Sequence, residues 1–573
     1  MDTPRKKLLL TVAAAGVLVK LAEFLVWLKS AFRDYNFVPG LDMETLLKFS
    51  EWGTPGNGFI FTPHRALVAA WWALGGGVHQ VPGIVAVQAL CGILGAVLCA
   101  DIALKLFGRD RSAAFCCGIF YLVYGPFFIY EYSVLQEAVA LNLILLAFHA
   151  SLRARGTRRC AFAGAALAFA LIGRPTALFF APVMAALILR RESRRRDRSA
   201  AALFGGAALV LGATALVNYL FGGSVKVFFD VLPYSLEFNA GATASVAAAT
   251  ASPALPSWLT LGFNAVGRVP KLLLPYEIPE NLNYHFLTGV VPFLKFLPGP
   301  AVLLPFAAAG MLLVLPKFRR APALVWLPLL TLALPLCVRD PIGRYRLTLV
   351  PYLILCAGYW LHVLRHTRQW RRLIPVTAAV LTFAASAAGG RAYLRPADFM
   401  THALALERGN GGRPSPAALE YLVRGWKLSG LRDNRIGVYL YLKLAEARAA
   451  KAAEILRIGI AKAPEKDIYR YYLAIEAADR GKFAEAEKLL AACDPAKLGI
   501  VEGKYHYLYA EMLRRRGERA AAAREYRRAL EKLDPGSPIA AAVRRALSAP
   551  DAAADAPPTR GKLRARPAAP ARE

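Results

Sequence analysis

The sequence lacks the motifs by which most soluble enzymes and regulators bind nucleotides or nucleic acids. It has no phosphate-binding P-loop and no dinucleotide-binding glycine motif, which leaves ATP-driven transport and redox chemistry without support. It also has no helix-turn-helix, zinc-finger or RNA-binding signature. Its formal net charge of +32 therefore does not indicate a nucleic-acid partner, and the basic character needs another explanation.

Cysteine is scarce and follows no ligand or disulfide pattern. There are 8 cysteines and no CxxC pair, so neither a zinc site nor an oxidised scaffold is predicted. No group of His, Asp and Glu residues has the spacing of metal ligands, and the sequence predicts no metal residue. The sequence identifies no cofactor, and a requirement for a divalent cation stays an open alternative. All but Cys493 lie in or beside apolar runs, namely Cys91, Cys99, Cys116, Cys117, Cys160, Cys337 and Cys356.

Acidic residues are few, and the basic residues are concentrated in short joints. The chain has 39 Asp and Glu residues against 71 Lys and Arg residues, and 56% of its residues are hydrophobic. A mean hydropathy of +0.38 is too high for an ordinary soluble chain of this length. Arg-rich joints such as residues 190–198 recur at every second gap between apolar runs. This alternation is the positive-inside pattern of a multi-pass membrane protein, with the joints beside anionic cytoplasmic headgroups.

The apolar runs predict an all-α membrane domain with about eleven helical spans and a cytoplasmic N-terminus. The first run is long enough to span a membrane and is interpreted as an uncleaved anchor. Within it, Lys20 and Glu23 are three residues apart on one helical face, which predicts a paired structural contact. An odd number of spans places residues after 390 outside the cytoplasm. The predicted spans are 8–28, 84–107, 112–129, 134–150, 160–172, 177–189, 200–221, 286–315, 323–338, 347–364 and 373–388.

Beyond residue 395 the composition changes to that of soluble, Ala-rich helices. Three segments, 444–464, 480–495 and 516–535, each place small residues on one face and end in proline. The last two resemble the second helix of tetratricopeptide repeats, with Gly481 and Gly517 at equivalent points. The predicted domains are therefore a membrane domain at 1–395, a helical repeat domain at 396–549 and a disordered basic tail at 550–573.

The predicted outer loops contain the unusual polar residues. The first of them, residues 29–83, is long for a connector and contains Asp42 and Glu44. Carboxylates close to a membrane face suit a general base at the edge of a cavity. Solvated loop carboxylates are the simpler interpretation when these residues are considered alone.

Five segments resemble, in order, parts of the GT-C membrane glycosyltransferases. The five segments are "LDMETLLKFSEWG", "YLVYGPFFIYEYSVLQEAV", "IGRPTALFFAP", "KLLLPYEIPENLNYHF" and "GRYRLTLVPYLILCAGYWL". The most similar branch is the glycosyltransferase family 39-like bacterial proteins, which are related to protein O-mannosyltransferases and aminoarabinose transferases. The resemblance covers roughly residues 8–390. Fusion to tetratricopeptide repeats also occurs among such proteins.

This resemblance implies an enzyme of the bacterial inner membrane that uses a polyprenyl-phosphate-linked sugar on the extracytoplasmic face. In that family an acid early in the first outer loop is the catalytic base, and Asp42 matches it. The base takes a proton from an acceptor hydroxyl as that oxygen attacks the anomeric carbon with inversion. The sugar, and whether the acceptor is a protein or an envelope glycan or lipid, are left open.

The resemblance also implies roles for further charged residues on the outer side. Guanidinium groups match phosphate geometry, so three arginines are candidates for the donor phosphate: Arg344, Arg346 and Arg174. Headgroup anchoring is an equally supported interpretation for Arg174. Candidates for the sugar or acceptor cavity are Glu277, Glu131, Glu137 and Glu44. One of Glu131 and Glu137 is expected to line the cavity, and a turn contact is an equal alternative for Glu277.

Departures from the family pattern keep a second function open. Leu46 stands about where the family has a tyrosine, and Pro63-His64-Arg65 replaces its Pro-Leu-Tyr motif. The alternative is a catalytically degenerate, membrane-anchored scaffold or transporter-like protein whose repeats bind an envelope partner. A base and arginines on one membrane face favour the enzyme, because a scaffold does not need them. The altered motifs favour the scaffold.

Overall fold

The structure is a computed structural model of the chain. It describes residues 3–48, 61–73, 81–154, 156–174, 177, 180–191, 196–222, 277, 282–314, 343–366, 377–378, 381, 394–447, 449 and 451–548. Every regular element within these ranges is a helix, as the all-α prediction requires. The chain divides into two compact units, Met1–Phe37 with Leu41–Leu394 and Val38–Gly40 with Arg395–Glu573.

The described part of the first unit is built largely from apolar helices. Its described helices are α1 Thr3–Lys29, α2 Asp42–Lys48, α3 Pro63–Ala73, α4 Val81–Leu106, α5 Arg111–Val123, α6 Gly125–Glu131, α7 Glu137–Arg153, α8 Thr157–Gly173, α9 Ala181–Arg191, α10 Arg196–Gly222, α11 Tyr284–Val290, α12 Pro300–Val314, α13 Gly343–Arg346 and α14 Val350–His366. Two 3-10 turns, Ala31–Phe37 and Pro292–Phe296, follow α1 and α11.

Several of these helices are long and apolar enough to cross a membrane. Four such stretches are found within the described ranges: Thr3–Lys29, Val81–Leu106, Asp197–Leu220 and Pro292–Val314. The bent pair α5–α6, with a 53° change of direction, counts as a fifth if it is one span. A membrane-spanning protein is therefore supported, while the number of about eleven spans stays a prediction. The predicted span 323–338 lies outside the described residues, as does most of 373–388.

A buried ion network ties α1 to α6 inside the membrane unit. Lys20 Nζ lies 2.7 Å from a carboxylate oxygen of Glu23 and 2.7 Å from one of Glu131. The same ammonium group donates a hydrogen bond to the carbonyl oxygen of Leu122 at 3.2 Å. The pairing predicted for Lys20 and Glu23 is thus confirmed. Glu131 completes the network, because an ammonium group in a dry interior needs several acceptors.

Helices α8 and α10 pack with their backbones in direct contact at two glycines. A Cβ on Gly164 would lie 1.9 Å from the carbonyl oxygen of Leu203, and one on Gly206 would lie 2.1 Å from that of Ala161. Only glycine permits such an approach, as is typical of helix pairs in membranes. The close contact depends on these two positions.

We expect Gly206→Leu to lower the melting temperature, because the new side chain pushes α8 from α10 and overpacking costs about 1–3 kcal/mol or more. Adjacent Gly205 is a matched control, since nothing lies within 4 Å of a Cβ built there. Melting can be followed by a thiol-reactive dye, because Cys99, Cys117 and Cys160 are buried. Equal melting of the two glycine variants would contradict the packing argument.

The second unit consists of short amphipathic helices that pack in consecutive pairs. They are α15 Pro396–Gly409, α16 Pro416–Leu428, α17 Asn434–Glu446, α18 Ala452–Lys462, α19 Asp467–Asp479, α20 Phe483–Ala491, α21 Glu502–Arg515, α22 Arg519–Lys532 and α23 Pro538–Ser548. Gly481 and Gly517 adopt φ values of 77° and 80° in the turns that follow α19 and α21. Glycine tolerates this left-handed backbone, which lets the next helix fold back.

Small side chains and tyrosines fill the interior of this unit. Gly459 lies against the ring of Tyr469, whose hydroxyl donates to the carbonyl oxygen of Asp433 at 3.0 Å. The hydroxyl of Tyr441 donates to Glu476 at 2.7 Å, so the buried carboxylate has a partner. The helices predicted in segments 444–464, 480–495 and 516–535 are present as α18, α20 and α22. Their identity as tetratricopeptide repeats stays a prediction, and the tail at 550–573 lies outside the described residues.

Candidate functional site

Four charged residues from four separate elements meet in the first unit. Asp42 begins α2, Glu137 begins α7, Arg174 follows the end of α8 and Arg344 lies in α13. Elements far apart in the sequence supply them, and Asp42 and Arg344 are separated by 302 residues. We call these four residues the charge cluster.

The charge cluster is a chain of alternating charges. Arg344 Nη1 donates to Asp42 Oδ2 at 2.6 Å, and Arg344 Nε lies 3.8 Å from Glu137 Oε1. Arg174 Nη2 forms an ion pair with the same oxygen of Glu137. Two positive and two negative groups leave no net charge, which allows them to be partly withdrawn from water.

Accessibility differs along the charge cluster. The side chain of Asp42 is 25% exposed and that of Arg344 is 17% exposed. Glu137 and Arg174 are almost fully buried. Glu137 lies in the first turn of α7, where the positive end of the helix dipole favours a carboxylate. Asp42 and Arg344 are therefore the accessible members of the charge cluster, while Glu137 and Arg174 pack behind them.

His64 lies in α3 close to this buried side. Burial lowers the pKa of His64 to about 4, although the charge of Glu137 and the side chain of Gln88 act in the opposite direction. The imidazole is therefore neutral at pH 7. The replacement of the family's Pro-Leu-Tyr motif by Pro63-His64-Arg65 is the sequence signal for this position.

Arg346 and Glu277 form a second, more deeply buried pair. The Nη2 atom of Arg346 lies 2.9 Å from Glu277 Oε1, and the two side chains are 3% and 6% exposed. Burial alone would lower the pKa of Arg346, but the charge and hydrogen bond of Glu277 together with the nearby tyrosines outweigh it, and the pKa is raised. The hydroxyl groups of Tyr124 and Tyr284 are within electrostatic range of Glu277. Arg346 therefore has a different partner from Arg344, only two residues away.

The remaining predicted site residues lie in different surroundings. Glu131 belongs to the network of Lys20 and Glu23 and is buried there. Of the two acids weighed for the cavity, Glu137 is therefore the one in the charge cluster. Glu44 lies in the first turn of α2, two residues after Asp42, and is partly buried. The role of each of these residues in a reaction stays a prediction.

Sequence reasoning missed a further charged group, which lies around Asp101 near the C-terminal end of α4. Asp101 accepts hydrogen bonds from Arg5 at 2.8 and 2.7 Å, and its Oδ2 lies 2.8 Å from His149 Nε2 and 2.5 Å from Arg153 Nη2. An aspartate within an apolar run is the available signal, because burying it without partners is costly. Asp101 thereby joins α1, α4 and α7. It is the ion-pair partner of two basic residues that flank apolar runs, Arg5 and Arg153.

No protein-family model matches the chain, and no curated protein matches it at a significant level. The resemblance to GT-C glycosyltransferases consequently depends on the sequence segments quoted above.

Proposed function

We propose that the chain is an integral membrane glycosyltransferase that transfers a sugar from a polyprenyl-phosphate donor to an extracytoplasmic acceptor with inversion. The observation that supports this most is the direct contact of Asp42 with Arg344 at the accessible edge of the charge cluster. A general base and a phosphate-binding cation are the two groups that such a transfer needs next to each other. Polyprenyl phosphate then leaves as the acceptor oxygen bonds to the anomeric carbon.

The ion pair of Asp42 and Arg344 suggests an order for the reaction. Without donor, Arg344 holds Asp42 in its ionised state and makes it a weak base. A donor phosphate that binds Arg344 replaces the carboxylate as its counter-ion, and the basicity of Asp42 rises. Asp42 can then accept the proton of the acceptor hydroxyl. The charge of Glu137 is balanced by its ion pair with Arg174, and Glu137 keeps the guanidinium group of Arg344 in place.

The proposal includes the topology predicted from the joints. About eleven spans in the bacterial inner membrane, with a cytoplasmic N-terminus, place the charge cluster on the extracytoplasmic face. The helical unit after residue 395 then lies on the same side, where it is available to an envelope protein partner. Lipid surrounds the first unit, whose helices α1 and α10 expose leucine side chains such as Leu18 and Leu209.

The direct test presents membranes containing the chain with a panel of radiolabelled polyprenyl-phosphate sugars. We expect label to leave the lipid with one donor and to appear in a protein or envelope fraction. A variant that ends at residue 395 lacks the helical unit. Comparing it with the full chain separates sugar transfer from capture of the acceptor. If no donor loses its label in native envelope material, the scaffold function replaces the enzyme.

Two neighbouring arginines give a matched pair of variants for donor binding. Arg344→Gln should raise the KM for donor by about 10- to 100-fold, because one charge-assisted contact to phosphate contributes about 1.5–3 kcal/mol. Arg346→Gln should instead destabilise the protein by about 3–5 kcal/mol, since it leaves Glu277 buried without its counter-ion.

Donor kinetics and melting are measured on both arginine variants. The double variant Arg346→Gln with Glu277→Gln is the control, and it should recover much of the lost stability. An unchanged donor KM in Arg344→Gln would remove that residue from phosphate binding.

A further inference from the structure

Asp110, His362 and His366 meet where α5 begins and α14 ends. Asp110 caps α5 through Oδ1, which accepts from the backbone N–H groups of Ser112 and Ala113 at 3.0 and 3.1 Å. Its second oxygen, Oδ2, lies 2.9 Å from His362 Nδ1 and 3.4 Å from His366 Nδ1. One potential ligand atom of each residue lies within 4.8 Å of the others.

We propose that Asp110, His362 and His366 form a binding site for Zn²⁺. Two histidines four residues apart lie on one face of a helix, and neutral imidazole and carboxylate are ordinary zinc ligands. With metal–ligand bonds of about 2.0–2.1 Å, tetrahedral ligand atoms lie about 3.3 Å apart. The two distances from Asp110 Oδ2, 2.9 and 3.4 Å, bracket that value, and the ligand atoms of the two histidines lie within 4.8 Å of each other.

The surroundings suit a zinc site with one position open to water. The ring of Phe107 stacks on that of His362 with centroids 5.9 Å apart, which fixes the imidazole and shields one side. His366 is exposed and leaves the other side to solvent. Its Nδ1 also lies 3.0 Å from the carbonyl oxygen of His362, to which an Nδ1–H group donates. Zinc binding at Nδ1 therefore replaces this hydrogen bond and requires the tautomer protonated at Nε2.

The zinc site is separate from the charge cluster. Arg344 and Arg346 precede the first residue of α14, whereas His366 is its last residue. The 17 residues of α14 make 16 steps of about 1.5 Å from Val350 to His366, which places the two sites about 24 Å apart along the helix. A bound ion would link the end of α14 to the start of α5, and its predicted effect is on stability.

The test measures zinc itself, not sugar transfer. The full chain in detergent is incubated with Zn²⁺ and dialysed, and metal per chain is determined by mass spectrometry. We expect about one equivalent in the wild type and loss in both His366→Ala and Asp110→Asn. Asp110→Asn retains the amide oxygen that caps α5, and exposed His366 is tolerant of truncation, so both variants should fold. Zinc should raise the melting temperature of the wild type alone.

Two controls address other sources of bound metal. His149→Gln changes a histidine that also pairs with one aspartate, Asp101, and it should keep the wild-type zinc content. Cys116→Ser removes an exposed thiol within electrostatic range of Asp110. No retained zinc in the wild type, an undiminished amount in His366→Ala, or zinc that depends on Cys116 but not on His366 would each overturn the proposal. Co²⁺ bound at the site should give the intense visible absorption of tetrahedral coordination.

Discussion

Asp42→Asn is expected to lower the rate of sugar transfer by about 10²–10⁴-fold while the protein stays folded and inserted. The amide is nearly isosteric with the carboxylate but cannot accept the proton of the acceptor hydroxyl. The substitution also removes the ion pair with Arg344, which is partly exposed, so the loss of stability should be small. The loss should therefore appear in kcat, with donor binding retained or tightened because Arg344 is released.

The measurement uses the donor identified in the panel, and Asp34→Asn is the matched control. Asp34 is another carboxylate of the first outer loop, and its neighbour in an ion pair is exposed Arg33. Its substitution should leave kcat unchanged. Transfer at the wild-type rate in Asp42→Asn would exclude Asp42 as the base and direct attention to Glu44 or Glu277.

Residue spacing predicts contacts within one helix, whereas contacts between helices depend on how the chain packs over long range. Lys20 and Glu23 are three residues apart, and their contact follows from helical geometry. Nothing in the spacing indicates that Glu131 joins them, because that depends on how α1 packs against α5 and α6. The same holds for Asp42 and Arg344, which a resemblance assigns to one site but which only the folded chain brings within 2.6 Å.

The two arginines of the "GRYR" segment show where sequence reasoning was incomplete. The resemblance makes both of them candidates for the donor phosphate. In α13 they occupy positions i and i+2, which do not face the same side of a helix. Arg344 therefore contacts Asp42 while Arg346 pairs with Glu277 in the interior. A pair spaced for one helical face would be three or four residues apart.

The histidines of α14 show how a long-range contact escapes sequence analysis. His362 and His366 are four residues apart on one helical face. Two histidines alone are a weak signal, and the third candidate ligand, Asp110, is 252 residues away in the sequence. Its short-range role as the cap of α5 is readable from sequence, but its distance to α14 is not.

Lys20→Met is expected to lower the free energy of unfolding by about 3–5 kcal/mol. Lys20 is buried between Glu23 and Glu131, and its removal leaves two carboxylates close together in the interior. Their mutual repulsion and their lost solvation then act in the same direction. The methionine fills a similar volume, so a packing defect contributes little to the effect.

Melting of the purified chain can be followed with the thiol-reactive dye. Lys29→Met is the control, since Lys29 ends the same helix and is exposed, and it should melt with the wild type. Adding Glu23→Gln and Glu131→Gln to Lys20→Met should restore much of the stability, because neutral amides remove the uncompensated charge. If Lys20→Met melts with the wild type, the network does not hold α1 to the rest of the membrane unit. If the triple variant is no more stable than Lys20→Met, the loss comes from packing and not from charge.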